Sequence, residues 1–312
     1  MQVGSDGWRF EWNEHWARIP ATRWGAANGR THGVTVAGNG HVLVFNQAQP
    51  AVLEFDPSGK LVNAWGDRFH GAHGMTLTAE GDEEFLWLTD QGTGEVVKTT
   101  LDGKTVLNLQ RPDLAIYRSG KAYAPTWVAV NDAGRGGNGD IWVADGYGSS
   151  FIHRYSDKGA YIASINGTEG AAGAFACPHG IRFNFRHGRP ELYITDRSNR
   201  RIQVYDAEGK YLRQFGGDFL SSPCMFAGHG EYLLIPELFG RLAVLDGQDR
   251  LVCYLGSNDG VEKTAGWPNL PGDRILAGKF NSPHGMAADA QGNLYVVEWI
   301  VGGRITKLAR KA

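Results

Sequence analysis

A six-bladed, all-β propeller is the fold this sequence of 312 residues predicts, on three observations. Short strand-like runs recur in sets of four, each set about 40–60 residues long, as propeller blades do. The sets open alike, and three openings in alternate sets carry a His-Gly pair, His73-Gly74, His179-Gly180 and His284-Gly285, with a fourth, His32-Gly33, in the first set. No stretch shows the 3.6-residue apolar period of a long amphipathic helix.

Aligned on these pairs, the first strands open at THGVTV (from Thr31), AHGMTL (from Ala72), PTWVAV (from Pro125), PHGIRF (from Pro178), PCMFAG (from Pro223) and PHGMAA (from Pro283). A Gly-, Asn- or Asp-containing turn leads into the second strands HVLVFNQ, FLWLTDQ, DIWVADG, ELYITDR, EYLLIPE and NLYVVEW. Third strands follow (AVLEFD, EVVKTT, FIHRYS, RIQVYD, RLAVLD, RITKL), then tight turns such as DPSGK and DAEGK, then fourth strands such as LVNAWG and YLRQFG. Apolar or alternating runs punctuated by Gly and Asp are the mark of antiparallel hairpins. The sixth set lacks a fourth strand, and WRFEWNE, from Trp8, has the alternation to supply it. Pairing it there would remove exposed sheet edges. With no linker or charge block dividing the chain, residues 1–312 read as one domain.

Composition narrows the function. The 31 basic and 33 acidic residues are interspersed, which argues against a basic patch for nucleic acid or an anionic membrane. No apolar run of about 18 residues is present to span a membrane. The opening MQVGSDGWRFEWNE has no basic start followed by an apolar core, so no secretory signal is read and a cytoplasmic location is expected. Cys177, Cys224 and Cys253 form no CxxC spacing, consistent with reduced thiols. The expected partner is a small-molecule substrate.

In a propeller the first strand of a blade starts, and the second ends, on one face. Residues that recur there in most blades (Asp90, Asp145 and Asp196, with Asn46 and Glu298 at matching places) read as turn-capping elements. Residues met once are better functional candidates: Tyr147, Arg197, Gln47, Glu237 and Trp299. A single histidine at a strand start is more often structural. Three in alternate blades can converge on one ion at about 2.0–2.1 Å and leave a position open, as catalytic zinc sites do. His32 shares the register and is either a fourth ligand, a substrate contact or a decayed repeat. Cys224 reads as a small buried hydrophobe before a thiolate ligand.

The PHG-type strand starts, ADGYGSSFIHRYSDKG and PHGIRFNFRHGRPELYITDRSNRRIQVYDAEGK resemble the NHL-repeat propellers. More specifically they resemble the lyase domain of the peptidylglycine α-amidating enzymes, over most of the chain and most specifically between about Pro125 and Lys210. The resemblance implies zinc, or a similar divalent transition metal, on His73, His179 and His284. It implies a reactive tyrosine at Tyr147 of the DGY motif and a pocket arginine at Arg197 of the DR motif. A second pocket arginine of that family falls on Gln47, a methionine on Ser282, and an acid associated with structural calcium on Gly285, so the same peptide substrate and a bound calcium are not carried over.

The expected function is metal-dependent cleavage, or its reverse, at a hydroxylated carbon. Tyr147 would move a proton, with its pKa lowered by the ion and Arg197, and Arg197 would anchor substrate. His32, Gln47, Glu237 and Trp299 would be substrate contacts. Two other readings stand beside it. One is a lactonase-like hydrolase using calcium on Glu237, Glu298 and Asn46, for which histidines are poor ligands. The other is a non-catalytic NHL interaction module. The long segments from Arg111 and from Ser257 are expected to shape or cover the pocket.

Overall fold

The computed structural model describes residues 1–4, 7–21 and 29–311. Six four-stranded antiparallel meanders form the blades of a six-bladed β-propeller: 31–65, 72–109, 127–165, 178–215, 227–255, and 283–310 completed from the N-terminus. The apolar second strands, such as Ile141–Asp145 and Glu191–Asp196, are buried along their whole length. The fourth strands, such as Leu61–Trp65 and Tyr161–Ile165, are largely open. A continuous apolar run fits a strand covered on both faces, and a mixed run fits one left at the rim. Turns of the DPSGK type are held by their aspartates: Asp56 Oδ1 accepts from the backbone of Ser58 and Lys60, and Asp206 Oδ1 from Glu208 and Lys210. Among the described residues no helix is long and apolar enough to cross a membrane.

The strands group into two compact units, Met1–His70 with Phe226–Ala312, and Gly71–Met225. The second unit holds blades two to four, whose first strands Ala72–Glu80, Trp127–Val130 and Pro178–Asn184 pack on one another in that order. The first holds blades one, five and six. In blade five the regular first strand is only Ala227–His229, shorter than the PCMFAG run predicts. Its opening stretch leaves the ladder, and the Cys224 carbonyl there accepts hydrogen bonds from His179 and Thr195 instead.

The N-terminal segment closes blade six as expected. Phe10–Asn13 pairs antiparallel with Arg304–Arg310, Phe10 opposite Arg310 and Trp12 opposite Leu308, and Gln2–Val3 adds a short fifth strand outside it. Trp8, Phe10 and Trp12 are all buried. Removing residues 1–14 therefore uncovers a sheet edge and three aromatic sites at once. The truncated chain is expected to aggregate or to melt at least about 10 °C lower, because burial of a single large aromatic is worth about 3–5 kcal/mol. Equal melting temperatures in a thermal scan would contradict this closure.

Candidate metal centre

The His-Gly pairs are β-bulges. Pairing between first and second strands slips between Ala72 and Met75 and between Pro178 and Ile181, and again at the starts of blades one and six. A bulge re-aims a side chain, and the glycine has a further role. A Cβ at Gly74 would lie 2.4 Å from the carbonyl oxygen of Thr126, and one at Gly180 would lie 2.3 Å from that of Cys224. Only a residue without a side chain admits the next blade's backbone so closely. That same oxygen accepts the Nδ1–H of the preceding histidine, at 2.7 Å for both His73 to Thr126 and His179 to Cys224. Blade six repeats the device: a Cβ at Gly285 would meet the His32 oxygen at 2.2 Å, and His284 Nδ1 donates to it at 3.1 Å.

A carbonyl can only accept, so Nδ1 carries the proton and each Nε2 is left with a lone pair. The Nε2 atoms of His73 and His179 face each other at 3.1 Å, and the Tyr147 hydroxyl lies 3.3 and 3.0 Å from them. Two unprotonated nitrogens at that spacing repel. A shared cation relieves the conflict. Two imidazoles about 2.0–2.1 Å from a tetrahedral ion would stand about 3.3 Å apart, close to what is found. A backbone carbonyl on the far nitrogen is also the support that metal-bound histidines use. The facing pair His73 and His179 could thus contribute ligands to a metal ion.

Tyr147 reaches this point because its turn is clamped. Asp145 accepts from the backbone of Ala124 and Ser149 at 2.6 Å each, and from the hydroxyl of Tyr117 at 2.8 Å. A Cβ at Gly146 would lie 2.4 Å from the Pro178 oxygen, so the turn runs tightly against the strand that bears His179. The Tyr147 ring is 39 % exposed while its hydroxyl end is enclosed, and burial pushes its pKa up to about 12. Arg197 lowers it, as expected of a neighbouring guanidinium, and offsets part of that rise.

Arg197 opens a short 3-10 turn after Glu191–Asp196, its backbone N–H on the Cys177 carbonyl at 3.2 Å. Its guanidinium lies over the Tyr147 ring, 5.2 Å from the centroid. The adjacent Asp196 carboxylate pairs with Arg201 at 2.8 Å, and among the described residues Arg197 forms no ion pair.

In the other unit, His32 and His284 meet edge to face with ring centroids 4.6 Å apart. The Arg30 carbonyl accepts from Gln47 N at 3.0 Å and faces His32 Nδ1 at 3.3 Å, while the Arg30 guanidinium lies over Trp299 at 5.3 Å. Gln47, His32 and Trp299 are thereby gathered around one residue. Trp299 also touches Trp267 of the long segment after Ser257, ring centroids 6.3 Å apart. Glu237 is held by the scaffold. It ends a buried second strand and pairs with Arg241 at 2.6 Å, just as Asp196 pairs with Arg201 and Glu298 with Arg304.

The recurring strand-end residues do cap turns: Asp90 accepts from the backbone of Gly71, Gly92 and Thr93, Asn46 from Ala48, and Glu298 from Asn281 and Ser282. Asn46, Glu237 and Glu298 are thus engaged in the scaffold. Two features were missed from sequence. The carbonyls of Thr126 and Cys224 carry no residue-type signal. Tyr117, in the long segment after Arg111, donates to Asp145 and lies 2.6 Å from His153 Nε2, fastening that segment to the Tyr147 turn. A lone aromatic on a one-turn helix, Ala115–Arg118, has no periodicity to mark it.

No family model matches the chain. Peptidyl-alpha-hydroxyglycine alpha-amidating lyase 1 of Drosophila melanogaster is 28 % identical over 80 % of this chain and 47 % of its own length. The probable lyase pgal-1 of Caenorhabditis elegans is 27 % identical over 57 % and 56 %, and human NHL repeat-containing protein 3 is 28 % identical over 63 % and 58 %. The chain is a six-bladed propeller similar to the amidating lyases and to NHL repeat-containing proteins. It spans about half the length of the curated relatives it matches. Among solved structures, a streptogramin B lyase superposes with a TM-score of 0.63 at 15 % identity, covering 97 % of this chain and 99 % of that one. A gluconolactonase from Xanthomonas campestris gives 0.60 at 14 %, covering 90 % and 86 %. Likeness at that identity speaks for the fold alone.

Proposed function

We propose that the protein is a metal-dependent lyase-type enzyme acting on a hydroxylated carbon of a small molecule. The observation that carries this reading is the pair of facing Nε2 atoms, 3.1 Å apart, with one tyrosine hydroxyl within reach of both. His284 is the third ligand in this reading, chosen because it shares the bulge, the glycine and the carbonyl-bound Nδ1. Neutral imidazoles suit zinc or another divalent transition metal and suit calcium poorly. When bound, such an ion polarises an oxygen ligand and lowers the pKa of a hydroxyl or water on it.

The chain's own groups do the rest. The Tyr147 hydroxyl is placed to take or give the proton of the substrate hydroxyl. Arg197 offers a planar fork to a carboxylate or carbonyl oxygen, and the Tyr147 ring beneath it holds that fork in place. His32, Gln47 and Trp299 are the proposed further substrate contacts.

The test is a panel of α-hydroxy amides, hydroxy acids and lactones given to metal-loaded protein. Turnover of a hydroxylated substrate that a chelator abolishes and added zinc restores is the expected result. Turnover of lactones alone would move the chain to the hydrolases, and protein that takes up no metal would sink the reading.

A further inference from the structure

We propose that the first strand of blade four, Pro178–Asn184, carries an anion-binding site built on Arg182, taking a small oxyanion such as phosphate or a carboxylate group. At the matching position the other five blades have Thr35, Thr76, Ala129, Ala227 and Ala287. One blade alone puts a guanidinium where the repeat uses a small residue.

The bulge decides where that guanidinium points. Side chains alternate along a strand, but the slip between Pro178 and Ile181 returns Arg182 to the face of His179, and Asn184, two residues on, shares it. Blade two displays the same geometry in its contacts. His73 Nδ1 and Thr76 Oγ1 both donate, at 2.7 Å, to carbonyls of the next blade's first strand, those of Thr126 and Val128. Arg182 is therefore about 10 Å along the strand from His179, on the same side.

Arg182 is half-buried, and among the described residues its side chain makes no hydrogen bond or ion pair. Glu191, opposite Asn184 in the ladder, is engaged elsewhere, with His187 and Arg213 at 2.9 Å each. Two more cations stand close. Arg135 lies over the Phe185 ring at 4.4 Å, and Arg186 donates through N and Nε to Asn184 Oδ1 at 3.1 Å each. That contact fixes the Asn184 amide, whose Nδ2 is buried and has no hydrogen-bond partner among the described residues, in a residue only 6 % exposed. Enclosure, then Arg135 and Arg186, pull the Arg182 pKa down to about 10. A half-buried fork, an unanswered amide donor and two flanking guanidinia lack one thing, an acceptor carrying negative charge. Oxyanions accept from such forks through paired charge-assisted bonds.

The anion has two possible sources: a free ion, or the anionic end of a substrate whose reacting carbon lies at the histidines. The second rests on the lyase reading and the first does not. Inorganic phosphate is titrated by calorimetry into the full metal-loaded chain, with ionic strength held constant by chloride. The wild type is expected to bind one phosphate. Arg182→Met should bind at least tenfold more weakly, with its metal content unchanged. Asn184→Ala, which removes only the amide donor, should weaken binding severalfold and keeps the test available if Arg182→Met fails to fold. No phosphate binding by the wild type, or equal affinity in Arg182→Met or in Asn184→Ala, overturns the site whatever the fate of the lyase reading. Once a substrate is known, phosphate that competes with it and a raised KM in Arg182→Met assign the site to the substrate's anionic end. Phosphate binding without either effect assigns it to a free ion.

Discussion

His179→Ala, alone and with His284→Ala, is expected to strip the protein of metal. Elemental analysis of wild-type protein purified without chelator should find about one divalent transition metal per chain, and the double variant should fall to background. The size of the effect follows from the geometry. His73 and His179 present bare Nε2 atoms to each other because the carbonyls of Thr126 and Cys224 hold both Nδ1 protons. Removing one imidazole removes half of that pair and the reason for a cation to sit there. Stability separates this from simple misfolding. In metal-free buffer the single variant loses a lone-pair repulsion and should melt close to the wild type, whereas added zinc should raise the melting temperature of the wild type only. Equal metal content in the double variant would sink the three-histidine site.

Tyr147→Phe is expected to lower turnover by about 10²–10⁴-fold, the usual worth of a positioned proton-transfer group, while metal content and melting temperature stay as in the wild type. The substitution is clean because the ring remains. The Arg197 guanidinium keeps its aromatic platform, so substrate anchoring should persist and KM should change little. Only the hydroxyl that lies 3.3 and 3.0 Å from the two histidines is lost. Turnover within about twofold of wild type, on any substrate found, would remove Tyr147 from the chemistry and leave metal-activated water to act without it.

Much of the candidate site was legible from recurrence. His73 and His179 were marked by falling at one register of the repeat, and Tyr147 and Arg197 by falling there once. Glu237 stands at a strand end where the repeat alternates Asp and Glu. As a type it looked singular, yet in space it is one more carboxylate paired with an arginine of the next strand. The Tyr147 pKa could not be read from its neighbours, since a lone arginine beside it is outweighed by enclosure of the hydroxyl, and enclosure is a property of packing.

The order of strands, the blade count and the closing of blade six by the N-terminal strand were determined by local chemistry alone. Apolar runs of strand length, turns that need Gly or Asp, and a missing fourth strand with one unused candidate leave little choice of topology. Tertiary structure decided what the His-Gly pairs of blades two, four and six do. Their geometry depends on a carbonyl contributed by the next blade, 53 residues on in blade two and 45 in blade four. The glycine lets that oxygen approach, the oxygen fixes the imidazole proton, and the fixed proton leaves Nε2 bare. Each step is a through-space contact between segments remote in the chain, so no pattern of residue types within one repeat could state it.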